Sequence, residues 1–490
     1  MVHFNQLNQR DLPLVNALKN LAQQRDTPFY APGHKRGQGI APSFKQWLGP
    51  TLFQADLPEL PELDNLFAPT GAIAKAQELA AALWGAERTW FSVNGSTAGI
   101  IAAILATCGD GDKILLPRNV HQAAIAGIIH AGAVPIFLEP EINPDWDLAL
   151  GVTEETLSQA LQEHGDAKAV FLLHPTYHGV VGDLQKLIEL SHRVNLPVIV
   201  DEAHGAHFPF HPSLPRPALE LGADIVIQST HKMLGALSQC AIVHAQGNLI
   251  NPQRISQCLQ LIQSTSPNYV LLASLDSARH QMANGGRKKI AEVLNFTFHY
   301  RQQLSQIPGL ILLEISRPLP GALTIDPTRI TIDVTAWGMS GFELDDLLRE
   351  KFQITAELPT LRQLSFIVSI GNQTQDLERL LEALTQLAPT NLQQPFHLTL
   401  PVLPSTILAM TPRRAAHAPQ QLVTVDQAIG QISAGLLCPY PPGIPVLIPG
   451  EVITPEAIAF LAEVLNLGGT VSGLASEELT HLTVLTPSVI

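Results

Sequence analysis

Residues 223–239, ADIVIQSTHKMLGALSQ, decide how this chain is read. Ile225, Val226 and Ile227, flanked by Ala223, form an apolar run of the length of a buried strand. Gln228, Ser229, Thr230, His231 and Lys232 follow without a break. A lysine just beyond a buried strand, beside two hydroxyls and a histidine, suits a Schiff-base lysine whose neighbours hold a phosphate. The same residues also describe a charged loop at a strand end, so the surrounding chain has to choose.

Working back, VIVDEAHGAH at 198–207 places Asp201 at the end of another apolar strand. An Asp there can keep a pyridine nitrogen protonated, which makes the ring an electron sink. His204 could lie over such a ring or serve as an acid. A metal reading also exists, with Asp201, Glu202, His204 and His207 joined by His174 and His178 of HPTYH. No spacing here matches a zinc motif such as HExxH. Further back, Asn94-Gly95-Ser96-Thr97 lies between a short strand over 89–93 and an apolar helix ending near Cys108. Free backbone N–H groups at a helix start, with two hydroxyls, make an anion cradle; an ordinary N-cap is the alternative. An anion cradle, an Asp and a Lys, in that order and each after a strand, follow the logic of a pyridoxal phosphate site of the aspartate-aminotransferase type.

The rhythm of the chain supports this. Strands over 89–93, 114–116, 134–138, 169–173 and 198–200 alternate with helices over about 98–108, 121–130, 154–163 and 183–194. That pattern means βαβ units and a mainly parallel sheet with both faces covered. Open α/β sheets bind ligands in the loops after their strands. Before this region, residues 1–50 contain an amphipathic helix over 12–24 and then TPFYAPGHKRGQG. That breaker-rich loop carries His34, Lys35 and Arg36 and reads as a functional loop or a solvated arm. After 245 the pattern loosens. A long helix spans about 271–306, and 308–388 reads as a smaller α+β unit with strands near 311, 330 and 366. There Ser340 and Glu343 have capping-box spacing. APTNLQQP at 388–395 reads as a linker, and 396–490 as a third compact piece containing PYPPGIPVLIPGE.

Bulk composition narrows the class. The chain has 490 residues, enough for several domains, with 46% hydrophobic and 15% charged residues. Its formal charge is −14, from 43 acidic and 29 basic residues, which argues against nucleic acid or an anionic membrane as partner. Cys108, Cys240, Cys258 and Cys438 form no CxxC pair and no disulfide framework, as expected in a reducing compartment. The N-terminus lacks an apolar signal core. No apolar run reaches the roughly 20 residues of a membrane span. A cytoplasmic protein is expected.

The motifs resemble the Orn/Lys/Arg decarboxylase family of prokaryotic type. The carrying stretches are TPFYAPGHKRG, LDNLFAPTGAIAKAQELAAALWGAE, FSVNGSTAG, LLPRNVHQA, HPTYHGVVGDL, VDEAHGAHF, LGADIVIQSTHKMLGALSQ, STSPNYVLLASLD and PYPPGIPVLIPGE, in family order along nearly the whole chain. The resemblance implies an α/β, aspartate-aminotransferase-like (fold type I) pyridoxal phosphate domain with a mainly parallel sheet, a small α+β domain and a C-terminal domain. It implies an N-terminal arm over 1–50, a cofactor-binding large domain over 51–305, a small domain over 306–388 and a C-terminal decarboxylase domain over 396–490. The form is the compact one, without an N-terminal wing domain.

The same resemblance assigns roles. Lys232 bonds the cofactor, Asp201 pairs with its pyridine nitrogen, and His121 of RNVH stacks on the ring. Ser96, Thr97, Ser229 and His231 hold the phosphate. His204 sits beside the ring near the departing carboxylate, and Thr176 touches the phenolic edge. For His121 and Thr176, a capping or core-edge role is the competing reading. Residues 264–267 are implied to reach a neighbouring subunit's phosphate, as in a homodimer. The expected reaction is decarboxylation of a basic amino acid, arginine or lysine ahead of ornithine, in polyamine biosynthesis. Asp64, Glu357 and Glu451 are the acids available to a distal cation. Three positions depart from the family pattern: Arg414, Gln431 and Gly435. They leave substrate choice and the strength of the activity open. The alternatives are another reaction on the same cofactor, such as aldol cleavage or β-elimination, and a non-catalytic regulatory role.

Overall fold

The computed structural model describes residues 7–394, 407–440, 443–466, 468–476 and 478–486. Residues 395–406, where the expected linker meets the C-terminal piece, lie outside them, as do Pro441 and Pro442 of the PYPPGIPVLIPGE motif. Seven strands carry the α/β pattern: β1 Arg88–Ser92, β2 Lys113–Pro117, β3 Val134–Leu138, β4 Ala169–Leu173, β5 Val198–Asp201, β6 Ile225–Gln228 and β7 Ala241–Ala245. The chain forms two compact units, Met1–Ala106 with Ile199–Ala291, and Thr107–Val198 with Glu292–Ile490.

In the first unit the strands lie in the order β1-β7-β6-β5. β5 and β6 are parallel, with Val200 opposite Val226. β7 runs antiparallel to both β6 and β1, within the mainly parallel sheet that the βαβ rhythm suggests. Between β6 and β7 the chain forms only the one-turn helix Thr230–Met233 and a turn, not the longer helix of a βαβ crossover. Every residue of β6 and β7 is buried, so these strands read as unbroken runs rather than alternating ones.

Helix Gly95–Thr107 lies directly on these strands. A Cβ at Gly99 would stand 2.8 Å from Val243 Cγ2 and 3.0 Å from Ile227 Cγ2, so glycine permits the close approach. The N-terminal arm is more helical than its breakers suggest. Besides Pro13–Ala22 it forms Pro42–Leu48 and Pro50–Ala55. Both extra helices start on proline, whose fixed φ suits the first helical position. The arm is pinned by helix Tyr269–Leu304. Asp276 accepts the Leu14 N–H at 3.0 Å and pairs with Arg279 at 2.5 Å, both side chains fully buried, while Arg279 donates to the Gln9 carbonyl at 2.8 Å.

In the second unit β4, β2 and β3 are all parallel in that order. Helices Gln122–Ala131 and Glu154–Glu163 connect them. A four-stranded antiparallel sheet holds Ile311–Leu312, Arg329–Asp333, Gln363–Ile367 and Leu358–Pro359 in spatial order. Its core joins Ile330, Ile332, Leu364 and Phe366 to Leu377, Leu380 and Leu384 of helix Thr374–Leu387. The expected capping box at Ser340 and Glu343 is present. Towards the C-terminus, Gln420–Thr424 pairs antiparallel with His481–Leu485, and helix Pro455–Asn466 packs into the same small core.

Candidate active site

The first unit gathers most of the expected residues. Lys232 stands in the one-turn helix Thr230–Met233 that ends β6, and its Nζ lies 2.9 Å from His204 Nε2. If Lys232 is an ammonium it can only donate, so Nε2 accepts and the His204 proton sits on Nδ1. His204 comes from the turn after β5. Asp201, the last residue of β5, stiffens that turn by accepting the Ala203 N–H at 3.0 Å. Asp201 and His204 are both 7% exposed.

The anion cradle is also assembled. Ser229 donates its hydroxyl to Ser96 Oγ at 2.9 Å, joining the end of β6 to the first turn of helix Gly95–Thr107. Gly95 has φ +75° and its N–H is taken by the Gln239 carbonyl at 2.8 Å. The N–H groups of the helix's first turn have no intrahelical acceptor, and no acidic residue stands among them. Thr97 is exposed and Ser96 half-buried. Thr230, by contrast, is fully buried, its hydroxyl without a hydrogen-bond partner among the described residues.

His231 has a constraint that the sequence does not reveal. Its Nδ1 lies 2.7 Å from the Cys240 carbonyl, so that nitrogen carries the hydrogen. Nε2 then donates to an anion only when the ring is protonated. Burial pulls the His231 pKa below the ordinary value, the Cys240 bond raises it in part, and the Lys232 charge lowers it again. A bound dianion would oppose that depression.

Behind Asp201 lies Glu202, fully buried, with its pKa raised to about 8 by burial. Bonds from Gln228 and Ala218 oppose that rise, and the Asp201 charge adds to it. Sequence reading offered Glu202 only as a metal ligand. Among the described residues, no group of three or more His, Cys, Asp or Glu side chains is arranged to hold a metal ion.

His121 and Thr176 belong to the second unit. His121 caps helix Gln122–Ala131, its Nδ1 accepting the Ala123 N–H at 3.2 Å. A neutral ring therefore carries its hydrogen on Nε2. Thr176 is 7% exposed and its Oγ1 accepts the Val180 N–H at 3.1 Å, closing the turn at 176–180. Both residues thus have the local roles that their positions suggest, and those roles fix their orientation.

The three candidate acids separate clearly. Asp64 accepts the backbone N–H groups of Asn65, Thr70, Gly71, Ile73 and Ala74, which organise the entry to helix Ala72–Trp84. Burial would raise its pKa, but these bonds together hold it below the usual range. Glu451 is buried against Arg118 at 3.1 Å and accepts the Ile448 N–H at 2.9 Å. Glu357 is exposed, and Tyr177, the neighbour of Thr176, donates its hydroxyl to it at 2.6 Å.

Of the departures from pattern, Gln431 donates to the Gln427 carbonyl at 2.6 Å and Arg414 is exposed. A Cβ at Gly435 would meet nothing nearer than Leu437 Cδ2 at 3.9 Å. The backbone therefore has room for an acidic side chain there.

The donor set of the first unit fits pyridoxal phosphate: a lysine amine, a carboxylate at a strand end, an imidazole on the amine, and hydroxyls with helix N–H groups for a phosphate. Comparison with known proteins agrees. The family model described as Orn/Lys/Arg decarboxylase, major domain, matches residues 12–319, and that of the C-terminal domain matches 400–477. Arginine decarboxylase of Bacillus subtilis (strain 168) is 40% identical over 475 residues, covering 95% of this chain and 96% of that protein. Arginine decarboxylase of Halalkalibacterium halodurans is 36% identical over 485 residues, covering 97% and 98%. Among solved structures, a lysine decarboxylase of Francisella novicida superposes with a TM-score of 0.82 at 22% identity. It covers 97% of this chain and 82% of that one. At that identity the likeness shows the fold.

Proposed function

The chain belongs to the Orn/Lys/Arg decarboxylase family, and on that footing we propose that it decarboxylates a basic amino acid with pyridoxal phosphate, arginine first and lysine second. The observation that carries this reading is the Lys232–His204 contact at 2.9 Å beside Asp201 and the paired hydroxyls of Ser96 and Ser229. The relatives with the higher identities, arginine decarboxylases, favour arginine and so agmatine as product, in polyamine biosynthesis.

Lys232 would hold the cofactor through its amine, and Asp201 would pair with the ring nitrogen. Ser96, Thr97, Ser229 and His231 would hold the phosphate. The family resemblance gives His121 to the ring face and Thr176 to the phenolic edge. Bound there, the cofactor supplies an electron sink for the pair left on the α-carbon as carbon dioxide departs. The protein's part is to aim and to manage protons. Asp201, held by Ala203, offers a fixed carboxylate acceptor. Lys232 Nζ and His204 Nε2, at hydrogen-bond distance, can hold or pass a proton. Of the three acids considered for the substrate's distal cation, Asp64 is engaged with backbone N–H groups, Glu451 with Arg118 and Glu357 with Tyr177.

The domain division proposed is the arm, the large domain over 51–305, the small domain over 306–388 and the C-terminal domain from 396. Of these divisions, the two separately matched ranges, 12–319 and 400–477, support a distinct C-terminal domain. A homodimer in the cytoplasm is proposed, with the exposed residues Ser264 and Ser266 facing a second subunit. All four cysteines are buried and free, and no helix among the described residues is long and apolar enough to cross a membrane.

The test is an absorbance scan of the purified protein with pyridoxal phosphate, wild type against Lys232→Ala. The wild type is expected to be yellow and the variant to lose the protein-bound band. A wild type that takes up no cofactor sinks the enzyme reading in favour of a regulatory one.

A further inference from the structure

Four buried polar side chains, three from separate strands and one from the turn just after β5, form one chain of hydrogen bonds beneath the Lys232 site. The main-chain N–H of Ala218 is a fixed donor to Glu202 Oε1 at 2.7 Å. Gln228 Nε2 donates to Glu202 Oε2 at 2.6 Å. The Gln228 carbonyl oxygen then faces His244 Nε2 at 3.4 Å, so that nitrogen must carry the ring hydrogen. His244 Nδ1 is left with a lone pair and accepts the Thr89 hydroxyl at 2.8 Å. The proton order is therefore fixed from Thr89 on β1 through His244 on β7 to Gln228 on β6, which donates to Glu202, the residue just after β5. None of the four residues is more than 3% exposed. Burial holds the His244 pKa down to about 3, which keeps the ring neutral and able to bridge as donor and acceptor at once.

Glu202 is tied equally to the turn in front of it. Asp201 is the last residue of β5 and Glu202 follows it directly, its N–H donating to the Ile227 carbonyl at 2.9 Å. The Gly205 N–H donates to the Glu202 carbonyl at 2.9 Å. A Cβ at Gly205 would fall 2.6 Å from Glu202 Cγ, so the turn that carries His204 wraps closely against this side chain.

We propose that Glu202 is a positioning residue: it terminates the ordered chain from Thr89 and thereby clamps the 201–205 turn that presents Asp201 and His204. This inference rests on the reading that Asp201 and His204 face the cofactor.

The chain makes an unusual prediction about substitution. In Glu202→Gln the new carbonyl keeps the Ala218 N–H, and the new amide donates towards Gln228. If Gln228 turns over and His244 moves its hydrogen to Nδ1, Thr89 becomes the acceptor and every link survives in reverse. Glu202→Met has similar length and can keep none of its links. The experiment is titration of the cofactor-free full chain with pyridoxal phosphate, followed by absorbance. Glu202→Gln should bind within about three-fold of wild type, and Glu202→Met at least about ten-fold more weakly, as expected when buried donors lose their acceptor. Should Glu202→Met fail to fold, Gln228→Met cuts the chain while sparing the Ala218 bond, and it too should weaken binding by about five-fold or more.

Loss of thermal stability alone would accompany any structural role, so the cofactor affinity of folded protein is the deciding readout. The inference is overturned if the methionine variants bind like wild type, or if Glu202→Gln is as weak as Glu202→Met, since charge rather than bond order would then be responsible. A wild type that binds no cofactor overturns the functional reading itself, and this inference with it.

Discussion

Glu451→Ala should destabilise the protein by about 3 kcal/mol, because it strands a buried guanidinium. The Arg118 and Glu451 side chains are 5% and 1% exposed and meet at 3.1 Å. Removing one partner of such a pair costs about 3–5 kcal/mol. The Ile448 N–H loses its acceptor as well, which adds roughly 1–3 kcal/mol. Arg118 keeps the Val446 carbonyl at 2.9 Å and its place 4.5 Å over the Phe137 ring in wild type and variant alike, so these contacts leave the guanidinium partly satisfied without entering the difference. The net is about 3 kcal/mol or more. Arg118→Met with Glu451→Met removes both charges and should recover most of the loss. Equilibrium unfolding of the wild type, the single variants and the double variant measures this. A Glu451→Ala cost below about 1 kcal/mol, or a double variant no better than the single, would refute the reasoning. The pair bears on the proposed site because Arg118 stands three residues before His121, in the same loop that starts helix Gln122–Ala131.

Other outcomes follow from the same geometry. Gly205→Ala should cost about 1–3 kcal/mol through overpacking, since its Cβ would meet Glu202 Cγ at 2.6 Å and the Phe208 ring at 2.9 Å; thermal unfolding reads it. Burial, with Arg329 adding to it, holds the His178 pKa at about 4 against 6.5. The folded state thus binds fewer protons than the unfolded one between these values. Stability should fall by about 3 kcal/mol as pH drops through that window, and His178→Leu should flatten this limb of an unfolding-versus-pH curve. Glu202 has the opposite sign. Its folded pKa of about 8 lies above 4.5, so stability is lost as pH rises from 4.5 towards 8, and Glu202→Gln should remove that slope. Gly435→Glu should leave the melting temperature nearly unchanged, because nothing nearer than 3.9 Å meets the new side chain's Cβ.

The sheet and its site were legible where strand and loop are contiguous in sequence. Ile225 to Lys232 and Val198 to His204 each carry a buried strand and its functional turn in one stretch. Helix Tyr269–Leu304 was expected two residues later at each end. The mainly parallel sheet was legible in the βαβ rhythm, but the direction of β7 within it was not, because hydrophobic runs do not encode direction. The helices Pro42–Leu48 and Pro50–Ala55 were not anticipated, because proline marks both a loop and a first helical turn. Glu202 escaped because Thr89, His244, Gln228 and Glu202 meet only through strand register, with Thr89 opposite His244. Asp64 and Glu451 looked like substrate acids because a carboxylate that holds backbone N–H groups has no distinct sequence pattern. The run Pro69-Thr70-Gly71 before a helix was the available hint for Asp64.

The most direct test of the account is to supply arginine, lysine and ornithine one at a time to the pyridoxal phosphate-loaded protein and assay carbon dioxide and amine together. The account predicts carbon dioxide and agmatine in equal amounts from arginine, a weaker reaction with lysine, and none of it in Lys232→Ala. A yellow protein that releases no carbon dioxide from any of the three would contradict it.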